Sequence, residues 1–330
     1  MLRVADARAL PMFTGQEARC ASHSGAERAR LRGGGMTANH LQGVYPILAM
    51  PFDRAGRVDV EVLEREVEYL IAAGVDGMGI ALASEIPMLT EAERDLVLRT
   101  VVGRTAGRAR VVMNTSAAGT DLAVHYSRRA EELGADALMV LPPPPSMSTA
   151  SETIEYYRQI ALAVHLPIFI QDVATSPVPP SLAAQIARTA DHDWYIKVEA
   201  PPTPPRVAEA VGLAGDRLTV FGGAGGTFFI EELRRGSVGT MPASALPDVF
   251  AHVWSLFQSG QVDTAEAELA RFATLLRLLG QGTGISFYLC KEVLRLRGVF
   301  TNTSVRRPAA APDEAAYSEV CRQVEMLGLD

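Results

Sequence analysis

The chain has 330 residues, 48% of them hydrophobic, with 38 acidic against 31 basic side chains and a net charge of −7. Such a length accommodates two average domains or one barrel with an extension, and the hydrophobic share suits a large core. The acidic balance, with no basic cluster interleaved with aromatics, argues against nucleic-acid binding, and no apolar run approaches the ~18 residues of a membrane span.

Residues 1–39 are rich in Arg, Ala, Gly and Ser and end in Arg32-Gly33-Gly34-Gly35-Met36 without sustained periodicity. We expect disorder there, with Met36 a candidate start that mass spectrometry of the native N-terminus would settle. The N-terminus lacks the charged-then-apolar pattern of a signal peptide. Cys20, Cys290 and Cys321 are far apart, without metal or redox spacing. A cytoplasmic location is the expectation.

From Gly43 the pattern alternates. Val44–Phe52 reads as an apolar strand, and Val60, Leu63, Val67, Leu70 and Ile71 then recur at helical spacing until Gly74. Further strands are expected near Gly77–Leu82, Arg110–Asn114, Ala137–Leu141, Pro167–Asp172, around Lys197, Leu218–Gly222 and Val238–Met241. The intervening helices open at Thr90-Glu91-Ala92-Glu93, near Thr120, at Thr149-Ala150-Ser151-Glu152, near Pro180, at Thr203-Pro204, near Phe228 and near Pro247. Eight strand–helix units of roughly 20–35 residues predict a closed (β/α)₈ barrel over 40–260. An open doubly wound sheet is the alternative, but no G-x-G-x-x-G follows the first strand. Residues 261–330 carry three further helical patterns (265–279, 285–297 and 313–327), expected as a C-terminal helical subdomain packed on the barrel and on a partner subunit.

The cations are unevenly chosen. Only Lys197 and Lys291 are lysine; every other basic residue is arginine. An amine can lose its proton when desolvated and attack a carbonyl, whereas a guanidinium cannot. Lys197 sits near the C-terminal end of the apolar strand Trp194-Tyr195-Ile196-Lys197-Val198, the end at which such barrels place reacting groups. Period-two alternation puts Lys197 and Glu199 on one side. An inward Lys197 would be desolvated and available as a Schiff-base nucleophile; a snorkelling lysine is the alternative. Glu199 is a candidate acid/base, though a loop carboxylate is the plainer reading. Lys291, in Cys290-Lys291-Glu292, is expected to pack on a helix surface or interface. Tyr156 and Tyr157 are expected outside the barrel. None of the six histidines (23, 40, 125, 165, 192, 252) ends a predicted strand or has a carboxylate at ligand spacing, so no metal is expected. Gly222-Gly223-Ala224-Gly225-Gly226-Thr227 suggests a phosphate loop, a close substrate approach or, most plainly, a flexible turn.

From Gly43 onward the chain resembles the dihydrodipicolinate synthase/N-acetylneuraminate lyase family of class I aldolases. The resemblance rests on Tyr195-Ile196-Lys197, on Ala81-Leu82-Ala83-Ser84-Glu85 with Leu89, on Met50-Pro51-Phe52, on Gln171-Asp172-Val173-Ala174 and on Gly239-Thr240-Met241-Pro242, each in order on a predicted strand. It implies a cofactor-independent lyase acting on a 2-oxo acid. Lys197 would form the Schiff base, the amides around Ala83, Ser84 and Glu85 would receive the carboxylate, and Met241 would lie beside the substrate. It also implies a homotetramer built from dimers.

The departures are informative. The family's tyrosine after strand four falls on Pro144 in the run Pro142-Pro143-Pro144-Pro145, and the basic residue expected after it is replaced by Ser146-Met147-Ser148. The paired threonines of strand two are Leu82 and Ala83. These changes disfavour dihydrodipicolinate synthase activity proper. Ser84-Glu85, Gln171-Asp172, Lys197-Val198-Glu199 and Leu246-Pro247-Asp248 are similar to the branch that dehydrates 2-keto-3-deoxy sugar acids. A small-molecule-binding paralogue that keeps the lysine but has lost turnover is the rival reading.

Overall fold

Eight parallel strands pair in one ring in the computed structural model of the chain, which describes residues 40–144 and 148–329. They are β1 (Gly43–Val44), β2 (Gly77–Ile80), β3 (Arg110–Asn114), β4 (Ala137–Val140), β5 (Ile168–Asp172), β6 (Trp194–Val198), β7 (Thr219–Gly222) and β8 (Gly239–Thr240). Each pairs in parallel with its sequence neighbour from β2 to β8, and β1 pairs with β8. Backbone hydrogen bonds from Asp76 to Val44, from Gly79 to Pro46 and from Leu48 to Gly79 close the ring between β1 and β2. The fold is thus the expected (β/α)₈ barrel. The expectation of disorder over 1–39 falls outside the described residues.

The helices alternate with the strands: α1 (Val60–Ala72), α2 (Glu91–Thr105), α3 (Thr120–Glu132), α4 (Ala150–Ala163), α5 (Pro180–Ile186), α6 (Thr203–Ala214), α7 (Phe229–Leu233) and α8 (Pro247–Gln258). Local chemistry sets several starts. Thr90 and Glu93, and again Thr149 and Glu152, exchange side-chain and backbone hydrogen bonds as capping boxes. Asp59 caps α1, and Gly74, at φ 79°, turns the chain out of it. Thr203, expected to cap α6, is instead its first residue, and its hydroxyl donates to Glu232 Oε1 at 2.6 Å.

The first strand is shorter than its apolar run. Pro46 and Pro51 have no N–H to give a ladder, so regular pairing stops at Val44, and beyond it Ile47 makes only isolated bridges, to Gly79 and Ala243. The C-terminal helices are α9 (Val262–Arg271), α10 (Ala273–Leu279), α11 (Thr283–Leu296) and α12 (Glu314–Leu327); the pattern over 265–279 divides at Phe272. Residues 42–330 fall in one compact unit. No helix among the described residues is long and apolar enough to cross a membrane.

Strand residues serve two layers. Trp194, Ile196 and Val198 face the helices, with Val140, Ile168 and Ile170 of the adjoining strands, in the main core. Fully burying a side chain of this size contributes about 1.5–3 kcal/mol. Inside the ring, Tyr45, Phe169, Tyr195 and Phe221 pack ring to ring, with centroids 4.6 Å apart for Phe169–Tyr195, 5.2 Å for Phe169–Phe221 and 5.6 Å for Tyr45–Phe221. These four rings are the floor of what lies above.

Candidate active site

Two residues beyond Tyr195, Lys197 occupies the next interior layer. It is in register with Gln171 on β5 and Phe221 on β7, and is only 3% exposed. The aromatic floor removes water from below the amine. Among the described residues its one charged partner is Glu199, whose Oε1 stands 3.0 Å from Lys197 Nζ.

Glu199, read plainly as a loop carboxylate, is built into the same cluster. The Glu199 and Ala200 N–H groups both donate to the Asp172 carbonyl, at 2.8 and 2.9 Å, which holds the segment leaving β6 against the end of β5. Asp172 is itself fixed from the outer layer by a bidentate Arg206 and by the Val178 N–H. Burial raises the Asp172 carboxyl above its usual range, and the adjacent guanidinium opposes that rise.

The second Glu199 oxygen accepts from Gln171 Nε2 at 3.0 Å, and Gln171 Oε1 accepts from Asn114 Nδ2 at 3.3 Å. Asn114 Oδ1 accepts from the Ser116 N–H at 3.1 Å. A backbone N–H can only donate, so it sets the direction of the whole chain, Ser116 to Asn114 to Gln171 to Glu199. Glu199 therefore meets a donor on one oxygen and Lys197 on the other.

The loop after β7 makes room for this pair. A Cβ at Gly223 would run into the Glu199 side chain and approach Lys197 Cε to 3.1 Å. A Cβ at Gly222 would strike the Glu232 carboxyl, and one at Gly226 the Phe250 ring. Three of these glycines are therefore demanded by close packing, which corrects the reading of a plain flexible turn. Behind the loop, burial pushes the Glu232 carboxyl up to about 8.

The turn after β2 differs from the expected anion site. Leu82–Ser84 form one 3₁₀ turn, in which the Ser84 N–H donates to Ala81 O at 2.9 Å and the Glu85 N–H to Leu82 O at 3.0 Å. The Ser84 hydroxyl is also engaged, donating to Leu48 O at 2.6 Å and accepting from the Ala81 N–H at 3.1 Å. Of the expected triplet, the Ser84 and Glu85 amides are thus spent inside the turn. Leu82 and Ala83, as its first residues, have no partner within it for their N–H groups.

Glu85 stands at φ 53°, ψ 26°, a left-handed conformation that costs a non-glycine residue roughly 1–2 kcal/mol. Its side chain is fully buried and ion-paired to Lys291. This corrects the surface reading of Lys291, which is 1% exposed and donates to Glu85 Oε1 at 2.5 Å and to Ser304 O at 2.6 Å. The signal was in the sequence. The scarcity of lysine that singled out Lys197 applied equally to Lys291.

The other expected residues are distributed as follows. Met241 is buried just after β8, its N–H donating to Gly222 O at 3.2 Å. Tyr156 and Tyr157 lie in the helical layer and donate their hydroxyls to Ala117 O and Val140 O, outside the barrel interior. His192 meets Leu166 O and His125 meets Glu91, both away from Lys197. Among the described residues no three His, Cys, Asp or Glu side chains are grouped to hold a metal ion.

The chain was compared with known proteins. The dihydrodipicolinate synthetase family matches residues 40–327. An L-2-keto-3-deoxyarabonate dehydratase of Azospirillum brasilense is 28% identical over 298 residues, covering 87% of this chain and 96% of that protein. A 4-hydroxy-tetrahydrodipicolinate synthase of Xanthomonas campestris is 29% identical over 231 residues, covering 69% and 76%. The crystal structure of dihydrodipicolinate synthase from Rhodopseudomonas palustris superposes with a TM-score of 0.80 at 26% identity, covering 86% of this chain and 97% of that one. With that match spanning the barrel and the C-terminal helices, the chain belongs to the dihydrodipicolinate synthetase family and is an enzyme, a lyase of carbon–carbon or carbon–oxygen bonds.

Proposed function

We propose that Lys197 forms a Schiff base with the ketone of a 2-oxo acid, and that the reaction is dehydration of a 2-keto-3-deoxy sugar acid or aldol chemistry on a pyruvate-type substrate. The observation that carries this is the Lys197–Glu199 pair, an amine 3% exposed above an aromatic floor with a carboxylate 3.0 Å away. The name of the Azospirillum relative supports the dehydratase form.

In this reading the carboxylate of the substrate lies against the Leu82 and Ala83 N–H groups, an oriented pair of donors. Glu199 takes a proton from the Lys197 ammonium, the amine adds to C2, and the same proton returned to the carbinolamine hydroxyl lets it leave as water, giving the protonated imine. Glu199 takes a proton from C3, leaving an enamine whose electrons expel the C4 hydroxyl. The same proton, returned by Glu199, lets that hydroxyl depart as water. Hydrolysis then frees Lys197. Glu199 thus does the work for which Pro144 offers no group, and Gln171 holds it in place.

The test is reduction with borohydride in the presence of pyruvate, followed by turnover of 2-keto-3-deoxyarabonate. We expect a covalent adduct on Lys197 and measurable dehydration; no adduct defeats the chemistry. The rival reading, a binding paralogue, is favoured by Pro144 alone and predicts an adduct without turnover.

A further inference from the structure

Lys291 and Glu85 lie 206 positions apart in sequence, yet form a sealed ion pair between α11 and the turn after β2. The Glu85 carboxylate is saturated by the C-terminal part of the chain. Oε1 accepts from Lys291 and Oε2 from the Arg306 N–H at 2.8 Å. Lys291 also holds Ser304 O, so one ammonium ties the turn and the 302–306 segment together.

The same segment is fastened at three more points. Asn302 Nδ2 donates to Phe52 O at 3.2 Å. The Arg306 guanidinium reaches Met88 O, Gly56 O and the Glu93 carboxylate. The Phe52 ring lies 4.9 Å from Lys291 Nζ and 4.6 Å from Arg306 Cζ, so one aromatic serves both cations. The loops after β1 and β2 are therefore closed from above by residues that belong to no strand–helix unit of the barrel.

The position of the pair gives this a consequence. Glu85 ends the 3₁₀ turn whose first two N–H groups have no partner within it, and its left-handed backbone is unfavourable unless something holds it. A salt bridge to a buried lysine holds it. On the other side, the Ser84 hydroxyl ties the turn to Leu48 O. The turn that carries the Leu82 and Ala83 amides is thus held by one contact to the segment after β1 and two from the C-terminal extension.

We infer that Lys291 is a positioning residue for substrate binding: through Glu85 it presets the Leu82–Ala83 amides to receive the carboxylate of a 2-oxo acid. This rests on the Schiff-base reading for the identity of the ligand, while the mechanical claim, that the C-terminal extension holds the turn, stands apart from it.

The experiment compares wild type with Lys291→Met, Lys291→Arg and Arg306→Ala by two readouts. One is the pyruvate concentration that half-saturates borohydride trapping. The other is hydrogen exchange of peptides covering 81–89, with β6 as the control. Lys291→Met also leaves Lys197 as the sole lysine, so the trapped site is unambiguous.

We expect the half-saturating pyruvate to rise about tenfold in Lys291→Met, within the usual range for coupling between sites. The maximal extent of trapping should stay unchanged, and exchange should accelerate at 81–89 but not in β6. Lys291→Arg should recover part of the affinity. Arg306→Ala keeps the buried pair but frees the segment from Met88 O, Gly56 O and Glu93, and should shift half-saturation in the same direction by about threefold; should Lys291→Met not fold, Lys291→Met/Glu85→Gln, which removes both buried charges, takes its place.

A folded Lys291→Met with wild-type half-saturation and wild-type exchange at 81–89 overturns the inference. Where Lys291→Met cannot be made, Lys291→Met/Glu85→Gln with both readouts at wild-type values overturns it as well. Absence of any adduct in wild type overturns the Schiff-base reading instead, and leaves the exchange of 81–89 to decide whether the extension holds the turn.

Discussion

The protein contains two lysines and buries both against glutamates, and the two pairs are built differently. At the barrel mouth, Lys197 faces a Glu199 whose side chain is 19% exposed. In the clamp, Lys291 faces a Glu85 that is 0% exposed, and a backbone carbonyl takes a second donor. If Lys197 is the Schiff-base lysine, as proposed, burial alone is not what distinguishes it. Lys291 commits two hydrogen bonds to structure, to Glu85 and to Ser304 O, whereas among the described residues Lys197 is held by a single carboxylate, beside a loop hollowed by Gly223. On the proposed Schiff-base reading, charge pairing confers rigidity where it is sealed and leaves room for chemistry where one side is open.

That contrast can be broken most directly at Lys197. Lys197→Arg keeps the charge but cannot form an imine, so turnover should fall by at least about 10⁴-fold, as for removal of a nucleophile. Its thermal stability should stay close to wild type, read by calorimetry. Glu199→Gln should retain pyruvate trapping at long times but lose on the order of 10²–10⁴ in turnover, the usual worth of a general acid–base group. Steady-state kinetics checks this, and a variant at full rate would remove Glu199 from the mechanism.

The clamp should respond in stability rather than chemistry. Lys291→Met strands the Glu85 carboxylate in the interior and is expected to cost about 3–5 kcal/mol in denaturant unfolding. Lys291→Met with Glu85→Gln removes both charges and should recover much of that. If the double variant is no better than the single, the pair is not the source of the loss. Gln171→Leu returns to the Lys197 side. Losing its hydrogen bond to the charged Glu199, about 1.5 kcal/mol, predicts roughly a tenfold drop in kcat, and the buried Asn114 amide it leaves unpaired predicts a loss of about 1–3 kcal/mol in denaturant unfolding.

The smallest effect concerns two buried acids. Burial pushes both Glu66 and Glu232 up to about 8 from an ordinary carboxylate value of 4.5. Between those values the folded protein binds protons that the unfolded chain has released. These groups therefore contribute stability that is complete below the unfolded value and is lost as pH rises toward 8. Tm measured from pH 5 to 8 should decline more steeply in wild type than in Glu66→Gln/Glu232→Gln. Parallel curves would mean that neither acid is protonated in the fold.

Legibility from sequence followed the range of the interaction. The capping boxes at Thr90 and Thr149 act over three residues, and both form as expected. Strand alternation likewise carried Lys197 into the barrel layer of Gln171. Thr203 looked like a cap, but its hydroxyl went to Glu232, 29 positions away. The Ser84 amide was expected to receive a carboxylate, and Ala81 O claimed it. Alternation put Glu199 on the side of Lys197, but that its carboxylate meets the amine rather than solvent depends on Asp172 holding the segment and on Gly223 leaving space.

The amino-acid order by itself determined the alternation of strands and helices, the caps, and the choice of an amine at the end of the sixth strand, because periodicity and side-chain chemistry act between neighbours. Only the closed ring decided which carboxylate meets which lysine, which amides of the β2 turn remain unengaged within it, and that residues 302–306 hold the loops after β1 and β2. Those outcomes follow from ring closure and from the docking of α11, which bring together groups as far apart as Glu85 and Lys291 and make them satisfy one another's buried charge.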